Sequence, residues 1–394
     1  MGNIMDYLDW RGDLTYSVDP FNEVDNLIMS TLAYVDFEGI MTEPGQQLVY
    51  GIRHLNEEYW KIHTHEEVKA RTTFYRDAPF LMEKMASCRR YRRLRVERYV
   101  NYVDPSHSEQ MAALTIYPGN GSTYVAFRGT DDTLTGWRED FSFSYMEATE
   151  GQLDAVNYLN SVQEGKCGRL IVGGHSKGGN FAIYASAFCN QEIRDRIETI
   201  YSNDGPGLGS VVDGVDGYRQ IAGRIRKYTP AYSIVGVLLA GEVEPKLISS
   251  DQDGIMQHDE FSWQVLGNHF IEAEKREKAS ELFEQIINAW IESESPEERK
   301  LFVETLFDLL GATGAQTLGD LGKSRSQTVS MIVSALKRMP AETRDPFLQI
   351  IRDLGSCGTD ILKTHFQTET GRLLDKVRAI PKRNTDQVKK ETQA

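Results

Sequence analysis

Residues 170–180 read Leu170-Ile171-Val172-Gly173-Gly174-His175-Ser176-Lys177-Gly178-Gly179-Asn180. Three apolar residues run into a glycine-bounded turn, and residues suited to a helix continue to Cys189. The stretch therefore reads as strand, sharp turn, helix. Glycines at 174 and 178 bracket Ser176 at the spacing of a nucleophile elbow, where the turn is too tight for side chains on either flank. Such a turn lifts a serine hydroxyl above the sheet in a strained backbone conformation. The helix that starts at Lys177 would then aim its first amides and the positive end of its dipole at the group under attack. The five-residue pattern alone is common. A strand before it, a helix after it and the extra Gly179 favour a nucleophile over a plain glycine-rich turn.

Outward from this point, strand-like segments at 111–117, 123–128, 169–173, 199–203, 225–229 and 246–250 alternate with helix-like segments at 152–162, 178–189 and 215–222. That alternation predicts an α/β fold with a mostly parallel sheet flanked by helices. Pro118-Gly119-Asn120-Gly121 marks a hairpin between the first two strands. Residues 1–87 read as helical, with Asn22 placed to cap a helix carrying Val24, Leu27, Ile28, Thr31 and Leu32. Arg89, Arg90, Arg92, Arg93, Arg95 and Arg98 follow within ten residues. Because Leu94, Val96 and Tyr99 alternate among them, this run reads as the start of a strand with a solvated basic face rather than a nucleic-acid patch. Beyond residue 271 the apolar spacing is helical at 273–291, 296–310, 326–338 and 346–354, and the charged tail from 381 predicts disorder. The expected organisation is an N-terminal helical segment packed on the core (1–87), an α/β core (88–270), a C-terminal helical region (271–380) and a disordered tail (381–394).

The 394 residues carry 44 Lys+Arg against 58 Asp+Glu, a net charge of −14, with 40% hydrophobic residues. These fractions are globular and exclude collagen-like, disordered and disulfide-scaffold classes. The acidic balance argues against a nucleic-acid partner. From Ile271 onward 19 Lys+Arg face 20 Asp+Glu, so −13 of the −14 falls on residues 1–270. That concentration disfavours anionic substrates and surfaces near the site. No stretch is apolar for the length of a membrane span, and the longest candidate, 234–241, is far too short. The four cysteines (Cys88, Cys167, Cys189, Cys357) are scattered without a CxxC, which reads as reduced thiols in a cytoplasmic protein. Asp251-Gln-Asp-Gly254 lacks the remaining ligands of a calcium loop, and residues 317–324 lack the first glycine and the strand of a phosphate-binding loop. No metal or cofactor is expected. Residues 234–240 read as a buried core segment, with a lid or acyl-contacting wall as the functional alternative.

A second motif stands upstream: Tyr124-Val-Ala-Phe-Arg-Gly-Thr-Asp131 leads into Gly136-Trp-Arg-Glu-Asp140. Together with Gly-His-Ser-x-Gly-Gly, this resembles the class 3 (fungal-type) lipases of the α/β-hydrolase superfamily. The resemblance implies an oxyanion hole made by the backbone N–H groups of Thr130 and Lys177, with the Thr130 hydroxyl as an extra donor and Asp140 bracing its loop. The chain to about residue 270 also resembles an uncharacterised bacterial lipase-like family. The pieces that carry it are Asp9-Trp-Arg-Gly-Asp13, Asn22-Glu-Val-Asp25, Asn203-Asp-Gly-Pro-Gly207 and Gln257-His-Asp259. That family implies α/β-hydrolase architecture and supplies no substrate.

In α/β-hydrolases the acid and the histidine follow the serine in the chain. This order removes His54, His63, His65, His107 and His175, while His365 lies in the helical tail. His258, in a loop after the last strand, is the expected base, and His269, near the start of a helix, is the fallback. Class 3 lipases take their acid from an Asp-x-Val-Pro segment, but here Ser233 occupies the matching place in 228–236. Asp204, at the end of the strand after the elbow, is the replacement, in a segment somewhat similar to that of pancreatic-type lipases. Asp251, Asp253 and Asp259 are its competitors, and a turn-capping role is the plain reading of Asn203-Asp204-Gly205. The expected activity is hydrolysis of a carboxylic ester by Ser176, His258 and Asp204 through an acyl-enzyme. A thioesterase, an amidase and a non-catalytic interaction module remain alternatives. The expected partner is a small acyl ester or lipid, and the C-terminal helices are free to take a protein partner.

Overall fold

The computed structural model describes residues 2–353, apart from 42–47, 72, 74, 105–108, 132, 163–167, 240, 242 and 318–324, and leaves out the side chains of 325–330. Cys167, His107, Cys357, His365, most of 317–324 and the tail from 381 therefore lie outside the described residues, as does the role expected for each. Helices α1 (Ile4–Arg11) and α2 (Glu23–Leu32) open the chain, followed by β1 (Tyr50–Gly51), α3 (Ile52–Ile62), α4 (His65–Lys69) and α5 (Ala78–Ser87). Asn22 caps α2 as its sequence predicts: its side chain accepts from Val24 and Asp25 N–H, and Asp25 reaches back to the Asn22 N–H.

The sheet holds β2 (Arg95–Asp104), β3 (Glu109–Tyr117), β4 (Ser122–Phe127), β5 (Arg169–His175), β6 (Ile197–Asn203), β7 (Ile225–Pro230) and β8 (Lys246–Ile248), ordered β1 to β8 as in the chain. Strands β1 to β4 pair antiparallel and β4 to β8 pair parallel. The crossovers are α6 (Leu134–Ser142) and α7 (Glu150–Asn160), α8 (Lys177–Phe188) and α9 (Gln191–Arg196), and α10 (Asp216–Ile221). A short hairpin of β9 (Val265–Leu266) and β10 (His269–Phe270) comes next, then α11 (Lys278–Ser293), α12 (Pro296–Gly311) and a helix at Arg325–Arg338. This is an α/β fold, a mostly parallel eight-stranded sheet flanked by helices, with additional C-terminal helices.

Side chains alternate across each strand, so β4 sends Tyr124 and Ala126 to one face and Val125 and Phe127 to the other. The first face is covered by the N-terminal helices with Leu27, Ile28, Met82 and Trp263, and the second by α7, α8 and α10. A separate cluster of Trp290, Phe302, Val303, Phe307 and Leu309 in α11 and α12 packs on Leu134, Trp137 and Tyr145, within and just after α6. The composition of 134–142 did not announce a helix; Thr133 starts it by accepting from the Gly136 N–H at 3.1 Å. Residues 316 and 317 run back along its start, where the Leu134 N–H donates to the Gln316 carbonyl at 2.9 Å.

Candidate active site

Parallel register brings the site together. His175 lies opposite Asn203, and Asn203 opposite Tyr228, so the residues that follow β5 and β6 emerge side by side at one sheet edge. Ser176 takes φ 55°, ψ −131°, a conformation few side chains tolerate, and keeps 7% of its surface exposed. Its flanks explain the glycines: a Cβ on Gly178 would lie 2.1 Å from the Phe127 carbonyl oxygen, and one on Gly174 2.3 Å from the Gly178 carbonyl carbon. The Ser176 N–H donates to the Asn203 carbonyl at 2.9 Å, which ties the turn to β6.

Asp204 follows β6, is fully buried and has φ 49°. Its Oδ2 lies 2.6 Å from His258 Nδ1, and its Oδ1 accepts from Ser233 Oγ at 2.7 Å. Ser233, at the place where the resemblance would put an acid, thus donates its hydroxyl to Asp204. Ser233 Oγ accepts from the Gly236 N–H at 2.8 Å, and Ser280 Oγ of α11 donates to the Ser233 carbonyl at 2.6 Å. Gly236 is required by contact, since a Cβ there would lie 2.3 Å from Asp204 Oδ1. Asp251 and Asp253 are exposed, and Asp259 caps the Phe261 N–H at 3.0 Å; none of the three bonds the imidazole. Burial pushes the Asp259 carboxyl up to about 6. His269 is not near a helix start: it is exposed on β10, because Gly267 at φ +65° turns this segment into a hairpin.

The loop of His258 is held from several sides. Gln257 donates to Glu277 at 2.6 Å and accepts from the Tyr232 N–H at 3.0 Å. His175 Nε2 lies 2.9 Å from the His258 carbonyl oxygen, and Tyr34 Oη lies 2.9 Å from His175 Nδ1. A carbonyl only accepts, so His175 carries its proton on Nε2 and Nδ1 accepts from Tyr34. Burial, with His258 adding to it, holds the His175 imidazole well below its usual value and therefore neutral. Glu260, 3.6 Å from His175, is buried as well, and that burial raises its carboxyl well above the usual range. His175 is thus more than elbow packing, a role that its position before Ser176 did not disclose.

Across Ser176 stands the Thr130 loop. Among the described residues, no protein acceptor takes the backbone N–H groups of Thr130 or Lys177. Thr130 Oγ1 donates to Asp140 Oδ2, so its proton is committed there while Asp140 is ionised. Burial, opposed by Lys177 and by the Thr130 bond, pushes the Asp140 carboxyl up to about 7. The Lys177 side chain is fully buried and pairs with Glu139 at 2.9 Å. Glu139 also accepts from the Gln110 N–H (2.9 Å), Thr149 Oγ1 (2.9 Å) and the Gly151 N–H (3.1 Å), so every contact it needs is met. The Gly136-Trp-Arg-Glu-Asp140 segment drew notice for Asp140, whereas Glu139 went unmarked because a surface glutamate looks the same in sequence.

A cleft of about 410 Å³ runs between Phe143–Glu147, Leu208–Val211, Leu239 and the C-terminal helices at Ile291 and Pro296. Within 234–239 only Ser233's neighbours Gly236 and Val237 are buried, while Leu239 lines this cleft. The segment is therefore half-buried rather than the buried core segment expected. Among the described residues, no group of three His, Cys, Asp or Glu side chains is arranged to hold a metal, and no helix is long and apolar enough to cross a membrane.

The Mbeg1-like family model matches residues 85–308, more than half of the chain. The chain belongs to the Mbeg1-like family. That match begins in α5, takes in both motifs, and extends through α11 and most of α12. Among solved structures, one described as the crystal structure of M37 lipase is similar at 16% identity, with a TM-score of 0.31 over 55% of this chain and 69% of that one. No curated protein matches the chain.

Proposed function

We propose that this protein is a serine hydrolase of carboxylic esters. The observation that carries the reading is the 2.6 Å contact between buried Asp204 and His258, beside a serine held in the elbow conformation. Ser176 Oγ attacks the ester carbonyl while His258 Nε2, which has no protein partner among the described residues, takes its proton. Asp204 keeps the other imidazole proton on Nδ1 and stabilises the imidazolium. The oxyanion is received by the N–H groups of Thr130 and Lys177, each worth roughly 3 kcal/mol by analogy with single-donor deletions. His258 returns the proton to the leaving alcohol, and water then cleaves the acyl-enzyme by the same steps in reverse. The cleft beside Leu208 and Leu239 would take the acyl chain.

A fluorophosphonate probe tests the reading directly. Wild-type protein should be labelled, and Ser176→Ala should not. Unlabelled, well-folded wild type would remove the enzyme reading in favour of an interaction module, and a panel of ester, thioester and amide substrates of graded chain length assigns the bond cleaved.

A further inference from the structure

The arginine run at 89–98 was not absorbed by the hydrolase reading, and the structure divides it. Arg90 is buried and fully engaged. It pairs with Asp25 through Nε at 2.7 Å and donates to the carbonyls of Asp19 at 2.9 Å and Leu14 at 3.2 Å, clamping the segment after α1 onto the turn before β2. Arg89, Arg92 and Arg93 are exposed, and among the described residues they have no acidic or hydrogen-bonding partner. They converge on a cavity of about 540 Å³, whose other walls are 15–17 and the β3–β4 turn at 118–120.

That cavity presents donors and no carboxylate. Asn120 gives its Oδ1 to Ser122, with N–H at 3.0 Å and Oγ at 2.6 Å, which leaves its amide N–H groups for a ligand. Tyr16 gives the wall its ring, with the Arg90 guanidinium 4.3 Å from the ring centre, while its hydroxyl is buried out of reach of solvent and does not face the cavity. The turn closes tightly over Arg93: Gly119 has φ +96°, and a Cβ there would sit 3.3 Å from the Arg93 Cβ. In a chain of net charge −14, a cavity lined by three unpaired guanidinium groups and by no carboxylate is the opposite of the average surface. Guanidinium forks match phosphate oxygens two at a time, and three of them suit adjacent phosphates better than one.

We infer that this cavity binds the diphosphate group of a small soluble molecule. It lies at the N-terminal end of β4, roughly 20 Å from the Ser176 end at about 3.3 Å per residue. A bilayer docked on these arginines would turn the catalytic edge towards water, which favours a free ligand over a lipid headgroup. The choice of a free ligand over a headgroup rests on the proposed position of the catalytic edge, whereas the recognition of phosphate by the arginines does not.

Calorimetric titration of the full chain with inorganic pyrophosphate at physiological salt tests this assignment. Wild type should bind, and Arg92→Gln/Arg93→Gln should weaken binding at least tenfold with an unchanged Tm in the absence of ligand. Arg95→Gln, which alters an exposed arginine outside the cavity, should bind as wild type does. Absent binding, or equal binding by wild type and the double variant, would overturn the proposal. So would binding confined to mixed phosphatidylcholine–phosphatidylglycerol vesicles and lost in the double variant, which would reassign the arginines to a membrane surface.

Discussion

Two walls flank Ser176, and they are built on different physics. The acid wall holds Asp204 by single short bonds to His258 and to Ser233, itself seated on Gly236 and Ser280, and the buried Lys227 donates to the Gly236 carbonyl at 2.9 Å. The oxyanion wall holds a buried ion pair, Lys177 with Glu139, and next to it a carboxyl that titrates near neutrality, Asp140. One oxygen of Asp204 is held by the Ser233 hydroxyl and the other by the His258 imidazole, so its direction is fixed by two bonds. A paired set of charges mainly fixes a loop. Under the proposed function, the first wall serves the chemistry and the second holds a loop in shape.

This contrast can be broken at its strongest point first. Asp204→Asn should lower turnover of a short p-nitrophenyl ester by about 10⁴-fold, because the imidazole would take the wrong tautomer. A near-normal rate would move the acid elsewhere. Glu139→Gln should instead act on stability, costing about 3–5 kcal/mol in urea unfolding, since it strands the Lys177 charge in the interior. If the loss appears only in rate, the oxyanion wall is not the structural one.

Asp140 supplies the pH test. Its carboxyl is raised in the fold, so the folded protein holds that proton more tightly than the unfolded chain does. The associated stability is complete below about pH 4 and is lost as pH rises to about 7. Asp140→Asn should flatten that part of the stability–pH curve, by at most about 4 kcal/mol, and an unchanged slope would show that the group is not held protonated. The smallest effect is expected for Ser233→Ala, which removes one bond to a charged acceptor worth about 1.5–3 kcal/mol. Its measure is kcat for the same ester, lowered with little change in KM.

Local rules made much of the molecule legible. Asn22 was readable as a cap because its side chain bonds within three residues, and the six central strands because apolar runs recur between turns. Gly174 and Gly178 were readable because their clash partners follow from the turn itself. What escaped depends on distance in the chain. Helix α6 has weak apolar spacing and is fixed by packing on α12 and by pairing with residue 316. The place of His269 was misjudged because one glycine with positive φ makes a hairpin out of a sequence that resembles a helix start. Ser233 was noticed as a departure, yet its bond to Asp204 spans 29 positions and no spacing rule reaches it.

Of the four non-glycine residues with positive φ among those described, two are Ser176 and Asp204. Each such conformation costs on the order of 1–3 kcal/mol, and a glycine would relieve most of it. Two of the three side chains on which the proposed chemistry depends therefore occupy positions where heat resistance alone would select something else. A screen for thermostable variants run without an activity filter would drift towards glycine at 176 and 204.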